Sequence, residues 1–190
     1  MNKEIESLRD RRLRPKLTLH LCCAPCSSYV IGLLEESFDL LLYFYDPNIQ
    51  PKEEYERRRD ESSRYADEKG IAFVEGAYEV ENWNTLVRGY EDSPERGERC
   101  RLCYEMRMAE TARFAKGNGS SYFTTVLSIS PHKDASRIND IGFAMQESFG
   151  VKYLPADFKK KEGFKKSISL SRENGFYRQD YCGCLYSKRG

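Results

Sequence analysis

Three groups of cysteines stand out in this chain: Cys22-Cys23-x-x-Cys26, Cys100-x-x-Cys103 and Cys182-Gly183-Cys184. Thiolates at such short spacings ligate soft metals or exchange electrons as dithiols. Cys100 and Cys103 fall three apart at a predicted helix start. They share a face there, and the partial positive charge of a helix N-terminus favours the thiolates that metals need. Together with Cys22 and Cys23 they offer four sulfurs. Spacing alone leaves two occupants open, a tetrahedral zinc ion or an iron-sulfur cluster. Two considerations weigh against zinc: adjacent cysteines are unusual in zinc knuckles, and a chain of 190 residues can build a core without a metal. Cys26 reads equally as core filling. Seven cysteines cannot all pair with one another, so a disulfide framework is not expected.

Lys plus Arg number 31 against 30 Asp plus Glu, a net charge of +1, so any surface for nucleic acid has to be local. Two stretches qualify. Arg9, Arg11, Arg12, Arg14 and Lys16 form a basic run near the start. Lys159 to Lys161, Lys165 and Lys166 are interleaved with Phe158 and Phe164, a pairing suited to phosphate contact and base stacking. The first residues lack the apolar stretch of a signal peptide, and no apolar run nears the roughly 20 residues that span a bilayer. A cytoplasmic protein without membrane contact is expected.

The elements that must position these groups alternate strand and helix. LTLHLC (17–22) reads as a buried strand, with a helix over 27–36 after Ala24-Pro25. FDLLLYFY (38–45) is a second strand, stopped by Asp46-Pro47-Asn48. A charged helix follows over 51–69 with Gly70 as its cap, then strand 71–75. A short helix is expected over 83–90 and a longer one over 100–116, with Leu102, Met106, Ala109 and Ala112 as its apolar face. Strand 121–128, helix 132–149 and strand 151–155 complete the pattern, leaving a basic, aromatic, partly helical tail with the CGC motif. This predicts one α/β domain over 1–190, a mostly parallel sheet of about five strands with flanking helices. Cys22 then ends a strand, where ligands bind in open parallel sheets.

LHLCCAPCSS (19–28), YFYDPNIQPKEEYERR (43–58), RCRLCYEMR (99–107), TTVLSISPHKD (124–134) and FYRQDYCGC (176–184) occur in this order. In them the chain resembles the QueH-type epoxyqueuosine reductases over nearly everything after residue 16. The resemblance implies a fold similar to the adenine-nucleotide alpha hydrolase (HUP) group and reduction of the epoxide of epoxyqueuosine in tRNA. It also implies an iron-sulfur cofactor, 4Fe-4S, with room for an additional iron. It puts Cys22, Cys23, Cys100 and Cys103 at the cluster-binding positions and Cys182 with Cys184 at a redox-active pair. The expected partners are tRNA carrying epoxyqueuosine, read at its anticodon loop, and an external electron donor. Asp46 departs from the family, where Asn is common.

Turning an epoxide into an alkene takes two electrons, two protons and loss of the oxygen as water. Asp134, Asp157 and His132 are the candidate acids, while His20 inside the first strand suits a core or supporting position. Arg58 or Arg59, after the DPNIQP turn, is a candidate substrate contact. The CGC pair is too close for an unstrained disulfide, and a mobile tail is expected to carry it toward the cluster. Two other classes remain: an ATP-dependent tRNA sulfurtransferase and a zinc-stabilised RNA-binding module. The first needs phosphate-cradling glycines after strand one, and CCAPCSS holds none. The second predicts a colourless protein.

Overall fold

The computed structural model describes residues 1–188, apart from the side chain of Asn2. Strand β1 (Lys16–Leu21) is buried from Leu17 onward and β2 (Asp39–Phe44) from Leu40 onward. Runs apolar on both faces need helices on both sides, which is the setting of a parallel sheet. With β3 (Ala72–Glu75), β4 (Tyr122–Thr125) and β5 (Lys152–Tyr153) they form a five-stranded sheet of order β3-β2-β1-β4-β5, every pairing parallel. The chain winds outward from β1 through β2 to β3, then crosses back to start β4 on the other side. The carboxyl ends of β1 and β4 therefore flank the switch point at which open sheets of this kind bind ligands.

The last two strands are shorter than the sequence suggests, for local reasons. After Thr125 the chain tightens into a 3-10 turn, Val126–Ile129, with the Thr125 side chain accepting from the Leu127 amide at 3.2 Å. After Leu154, whose amide still donates to Phe123, Pro155 has no N–H to continue the ladder.

Helix α2 (Ala24–Leu34) starts three residues earlier than expected, with Cys23 as its N-cap and Pro25 in its first turn, where a missing N–H costs nothing. Helix α3 (Lys52–Lys69) buries Tyr55, Arg58, Ser62, Tyr65 and Ala66, one face at helical spacing, and ends on Gly70 at φ +64°. Short α4 (Val80–Leu86) follows. In α5 (Glu98–Gly117) the buried face is Cys103, Tyr104, Arg107, Met108, Thr111, Ala112 and Ala115. The face expected from Leu102, Met106 and Ala109 is thus rotated by about one residue, because the helix turns inward a polar ridge that has partners inside.

Helix α1 (Asn2–Asp10) was hidden in a charged run; Ile5 and Leu8 are its buried apolar residues, and Glu4 pairs with Tyr122 and Lys152. The N-terminal basic run lies at the amino edge of the sheet, away from Cys22. There Arg9 pairs with Glu36, Arg14 donates to the carbonyls of Glu35 and Phe38, and Lys16 donates to that of Asn118.

Helix α6 (Ala135–Phe149) meets the sheet through a notch. The Tyr153 ring sits against Gly142 so closely that an added Cβ would lie 2.3 Å from the ring, while the Tyr153 hydroxyl donates to Asn139 at 3.0 Å. On an open helix Gly142→Ala would stabilise by about 1 kcal/mol. Here overpacking reverses the sign, and a loss of about 1–3 kcal/mol is expected, read as a lower urea midpoint.

Candidate active site

The loops after β1, β2 and β4, the start of α5 and the tail beyond α7 (Gly163–Glu173) meet at the carboxyl edge of the sheet. A cleft of about 280 Å³ opens between them, lined among others by Cys22, Cys26, His132, Lys133, Asp180 and Cys182. All seven cysteines are free thiols.

One thiol group is Cys22, Cys23 and Cys26, whose sulfurs lie within 4.8 Å of one another. Helical spacing from the N-cap turns Cys26 back over Cys23, so Cys26 is no mere filler. The amide of Gln179 donates to the Cys23 sulfur at 3.1 Å. The contacts of these thiols with one another and their burial push all three up to about 12. Deprotonated, three such neighbours would repel, and a bound cation is what relieves that repulsion.

The second group is Cys103 with Cys184 and Cys182, gathered around Trp83 and Val87, with Cys100 on the same small void. The sequence paired Cys100 and Cys103 with Cys22 and Cys23. In the structure Cys100 and Cys103 lie beside the CGC segment, and Cys26 lies beside Cys22 and Cys23. Burial pushes Cys103 up to about 11 and Cys184 up to about 12. Cys182 differs. Burial alone would raise it, but the Lys133 charge, the Ser187 hydroxyl at 3.2 Å, a backbone amide and Arg107 outweigh that and hold its thiol below the ordinary value.

Beneath both groups lies Arg107, itself buried. Its guanidinium pairs with the buried Asp46 carboxylate, approaches His20 Nε2 at 3.4 Å and points Nη1 at the Cys103 sulfur, 3.8 Å away. Burial raises the Asp46 carboxyl to about 6 against the pull of Arg107. Burial first, then Arg107, drives His20 well below its usual value, so the ring is neutral, and its Nδ1 lies 2.7 Å from the Thr125 hydroxyl. Asp46 Oδ2, both amide atoms of Asn48 and Gln179 Oε1 are buried without a hydrogen-bond partner among the described residues. Orphaned polar atoms in such number mark a site that something outside the chain completes.

The CGC segment is docked, contrary to a mobile tail. Arg58, held by Glu54, donates to the carbonyls of Tyr181 and Cys182, each at 3.2 Å. The Gln50 amide donates to the Gly183 carbonyl at 2.9 Å, and Tyr181 returns its hydroxyl to Gln50. Gly183 has φ +114°, and a Cβ there would meet Ile49 at 2.7 Å, so only glycine fits. Arg58 is thereby spent on positioning and is no substrate contact. Arg59 is engaged by Asp60 and Glu75.

Of the three candidate acids only His132 lines the cleft. Asp134 caps α6, accepting from the amides of Ser136 and Arg137, and Asp157 pairs with Lys159 at 3.0 Å. Phe158 is buried and cannot stack on a base, whereas Phe164 does line the cleft. The sequence reading passed over Lys133, Asp180 and Arg107. The long helix face that put Leu102 inside had hidden Arg107, and Lys133 stood between two better-known acid types.

In metal-free protein near neutral pH, a thiol held below its ordinary value reacts at lower pH than one pushed above it. Iodoacetamide should therefore modify Cys182 before Cys22, Cys23, Cys26, Cys103 and Cys184, as read by peptide mass spectrometry.

A family described as epoxyqueuosine reductase QueH matches residues 17–190. The QueH protein of Streptococcus pyogenes serotype M1 is 40% identical over 183 residues, covering 93% of this chain and 72% of its own. That of Thermotoga maritima is 37% identical over 175 residues, covering 89% and 88%. Among solved structures, the U34-tRNA thiolase NcsA of Methanococcus maripaludis with its 4Fe-4S cluster superposes with a TM-score of 0.62 at 13% identity, over 98% of this chain and 67% of that one. The likeness to NcsA shows a shared fold of the expected HUP type. On the family match and the relatives' identities over most of their lengths, the chain belongs to the epoxyqueuosine reductase QueH family.

Proposed function

We propose that this protein reduces the epoxide of epoxyqueuosine in tRNA to give queuosine, with a 4Fe-4S cluster held by its cysteines. The observation that carries the reading is the convergence of three thiols, two buried and one half-buried, within 4.8 Å at the switch point of the sheet, opening on a cleft. An all-sulfur donor set, orphaned polar atoms around it and a buried guanidinium to balance thiolate charge fit such a group. When bound, the cluster supplies electrons at low potential.

We assign its protein ligands to Cys22, Cys23 and Cys26. Cys100 and Cys103, expected in the same set, form with Cys182 and Cys184 a second group suited to an additional iron or to dithiol exchange. Arg107 and Asp46 fix Cys103 and neutralise charge under the site, and His20, uncharged, keeps Thr125 and the strand ends in place. Arg58 and Gly183 hold Cys182 at the cleft wall. Phe164 and the exposed Arg178 also line the cleft and suit an anticodon-loop base and its phosphate. Lys166, over the Tyr29 ring, adds a cation on α7. No helix among the described residues is long and apolar enough to cross a membrane.

Anaerobically purified protein should be brown and contain iron and acid-labile sulfide. Cys26→Ser should lose at least about half of both, since removing one thiolate from a cluster set breaks its ligation. A colourless protein carrying zinc would sink the cluster assignment. Full iron and sulfide in Cys26→Ser would return the ligands to Cys100 and Cys103.

The loop after β1 has thiols and Pro25 where a triphosphate would need open backbone amides. Epoxyqueuosine tRNA should therefore be reduced with a chemical reductant and no ATP, as followed by nucleoside mass spectrometry. Strict ATP dependence would favour the sulfurtransferase class.

A further inference from the structure

Reduction of an epoxide needs a group that meets the departing oxygen, and the two aspartates expected from sequence are committed elsewhere. Asp134 is a helix cap and Asp157 is paired with Lys159. Of the three candidate acids His132 alone lines the cleft, and Asp180 is exposed at its rim. Lys133 stands in a different position. It lines the 280 Å³ cleft and also the small void among Cys100, Cys103, Cys182 and Cys184. The cleft carries Cys22, Cys26 and Cys182 and the void Cys100, Cys103, Cys182 and Cys184, so Lys133 borders both thiol groups.

The side chain is half-buried, and among the described residues it makes no hydrogen bond or ion pair; its described neighbour is the Tyr104 ring, 5.8 Å from Nζ. A half-buried ammonium with no hydrogen-bond acceptor of its own is free to meet a polar ligand that enters the cleft.

The backbone that carries it is braced on both sides. The Arg96 side chain donates to the carbonyls of Pro131 and His132, at 2.5 and 3.1 Å, and Arg137 in turn donates to the Arg96 carbonyl. The Lys133 amide donates to Ser130 at 3.2 Å, and Asp134 next to it anchors the start of α6. The stem of the side chain is thus anchored at a fixed point of the cleft wall, from which the ammonium can reach a developing oxyanion.

We propose that Lys133 is a catalytic residue: its ammonium donates a hydrogen bond to the epoxide oxygen and gives that oxygen a proton as it leaves. This rests on the epoxide-reductase reading and deepens it. In the balanced step both C–O bonds break and the C=C bond forms. Two electrons come from the external reductant that the reaction already requires. The oxygen takes one proton from Nζ and one from water, and leaves as water. The neutral amine regains its proton from solvent through the cleft.

The test uses full-length, metal-loaded protein and epoxyqueuosine tRNA. Lys133→Ala should lower kcat by about 100-fold or more, the range of a lost general acid, with KM for the tRNA within about threefold and iron and sulfide equal to wild type. Ethylamine should restore kcat by about tenfold or more, filling the place of the lost amine, while tetramethylammonium at equal ionic strength, which has no N–H, should not. Should Lys133→Ala lose iron, Lys133→Gln, close in size, is measured in its place and should show the same fall in kcat.

Unchanged kcat with a raised KM would make Lys133 a phosphate contact and overturn the proposal. So would an iron-loaded alanine variant that no amine rescues. Wild-type protein that holds iron and sulfide yet leaves the epoxide intact would instead overturn the functional reading, and this inference with it.

Discussion

A guanidinium with almost no exposure, that of Arg107, sits where β1, β2 and α5 meet at the carboxyl edge of the sheet. An unpaired charge there would cost several kcal/mol even after relaxation, so the surrounding residues are constrained to satisfy it. Asp46 supplies the counter-charge from the turn after β2, His20 offers a neutral ring nitrogen from β1, and Cys103 lies one helical turn before Arg107 on its own helix. Three elements are locked in register by one side chain. The same charge lies under both thiol groups, so the interaction that sets the architecture also sets the electrostatics of the site.

The closure of the site from the C-terminal side obeys a similar logic. Arg58 is buried in α3 and, beyond its partner Glu54, finds carbonyl acceptors on the Tyr181-Cys182 backbone. Tyr177 adds a bond to Glu54, its ring lies under Arg57, and Phe176 packs edge-on against Tyr65. A segment that reads as a loose basic tail is thereby stitched along one helix, and Gly183 lets it turn close against Ile49. Cys182 reaches the cleft on a hydrogen-bonded segment, with Lys133 on the same cleft.

The division of labour among polar residues follows from what each can reach. Asp134 has free helix amides within its own next three residues, and a carboxylate so placed is consumed as a cap. Lys133, one residue earlier, has a long side chain that makes no hydrogen bond or ion pair among the described residues, and it lines the cleft. The basic run before β1 is spent on the end of α2 and on Glu36, at the edge of the sheet that faces away from the chemistry. Charge count alone could not have separated these roles.

What the sequence by itself determined was everything carried by short-range pattern. The apolar runs of β1 and β2, the Gly70 cap of α3, the alternation of strand and helix, and the placement of Cys22 and Cys23 at a strand end are all legible because each depends on residues a few positions apart. The five motifs likewise sufficed to identify the family. Only the tertiary structure decided which cysteines meet: Cys26 with Cys22 and Cys23 through the first turn of α2, and Cys100 and Cys103 with Cys182 and Cys184 through a docking that Arg58 and Gln50 enforce across more than a hundred residues. It also decided that α5 turns Arg107 inward, that Asp134 and Asp157 are occupied, and that Lys133 faces the cleft. These outcomes depend on the energetic cost of burying charge and on partners supplied by distant segments, and neither is written in the spacing of neighbouring residues.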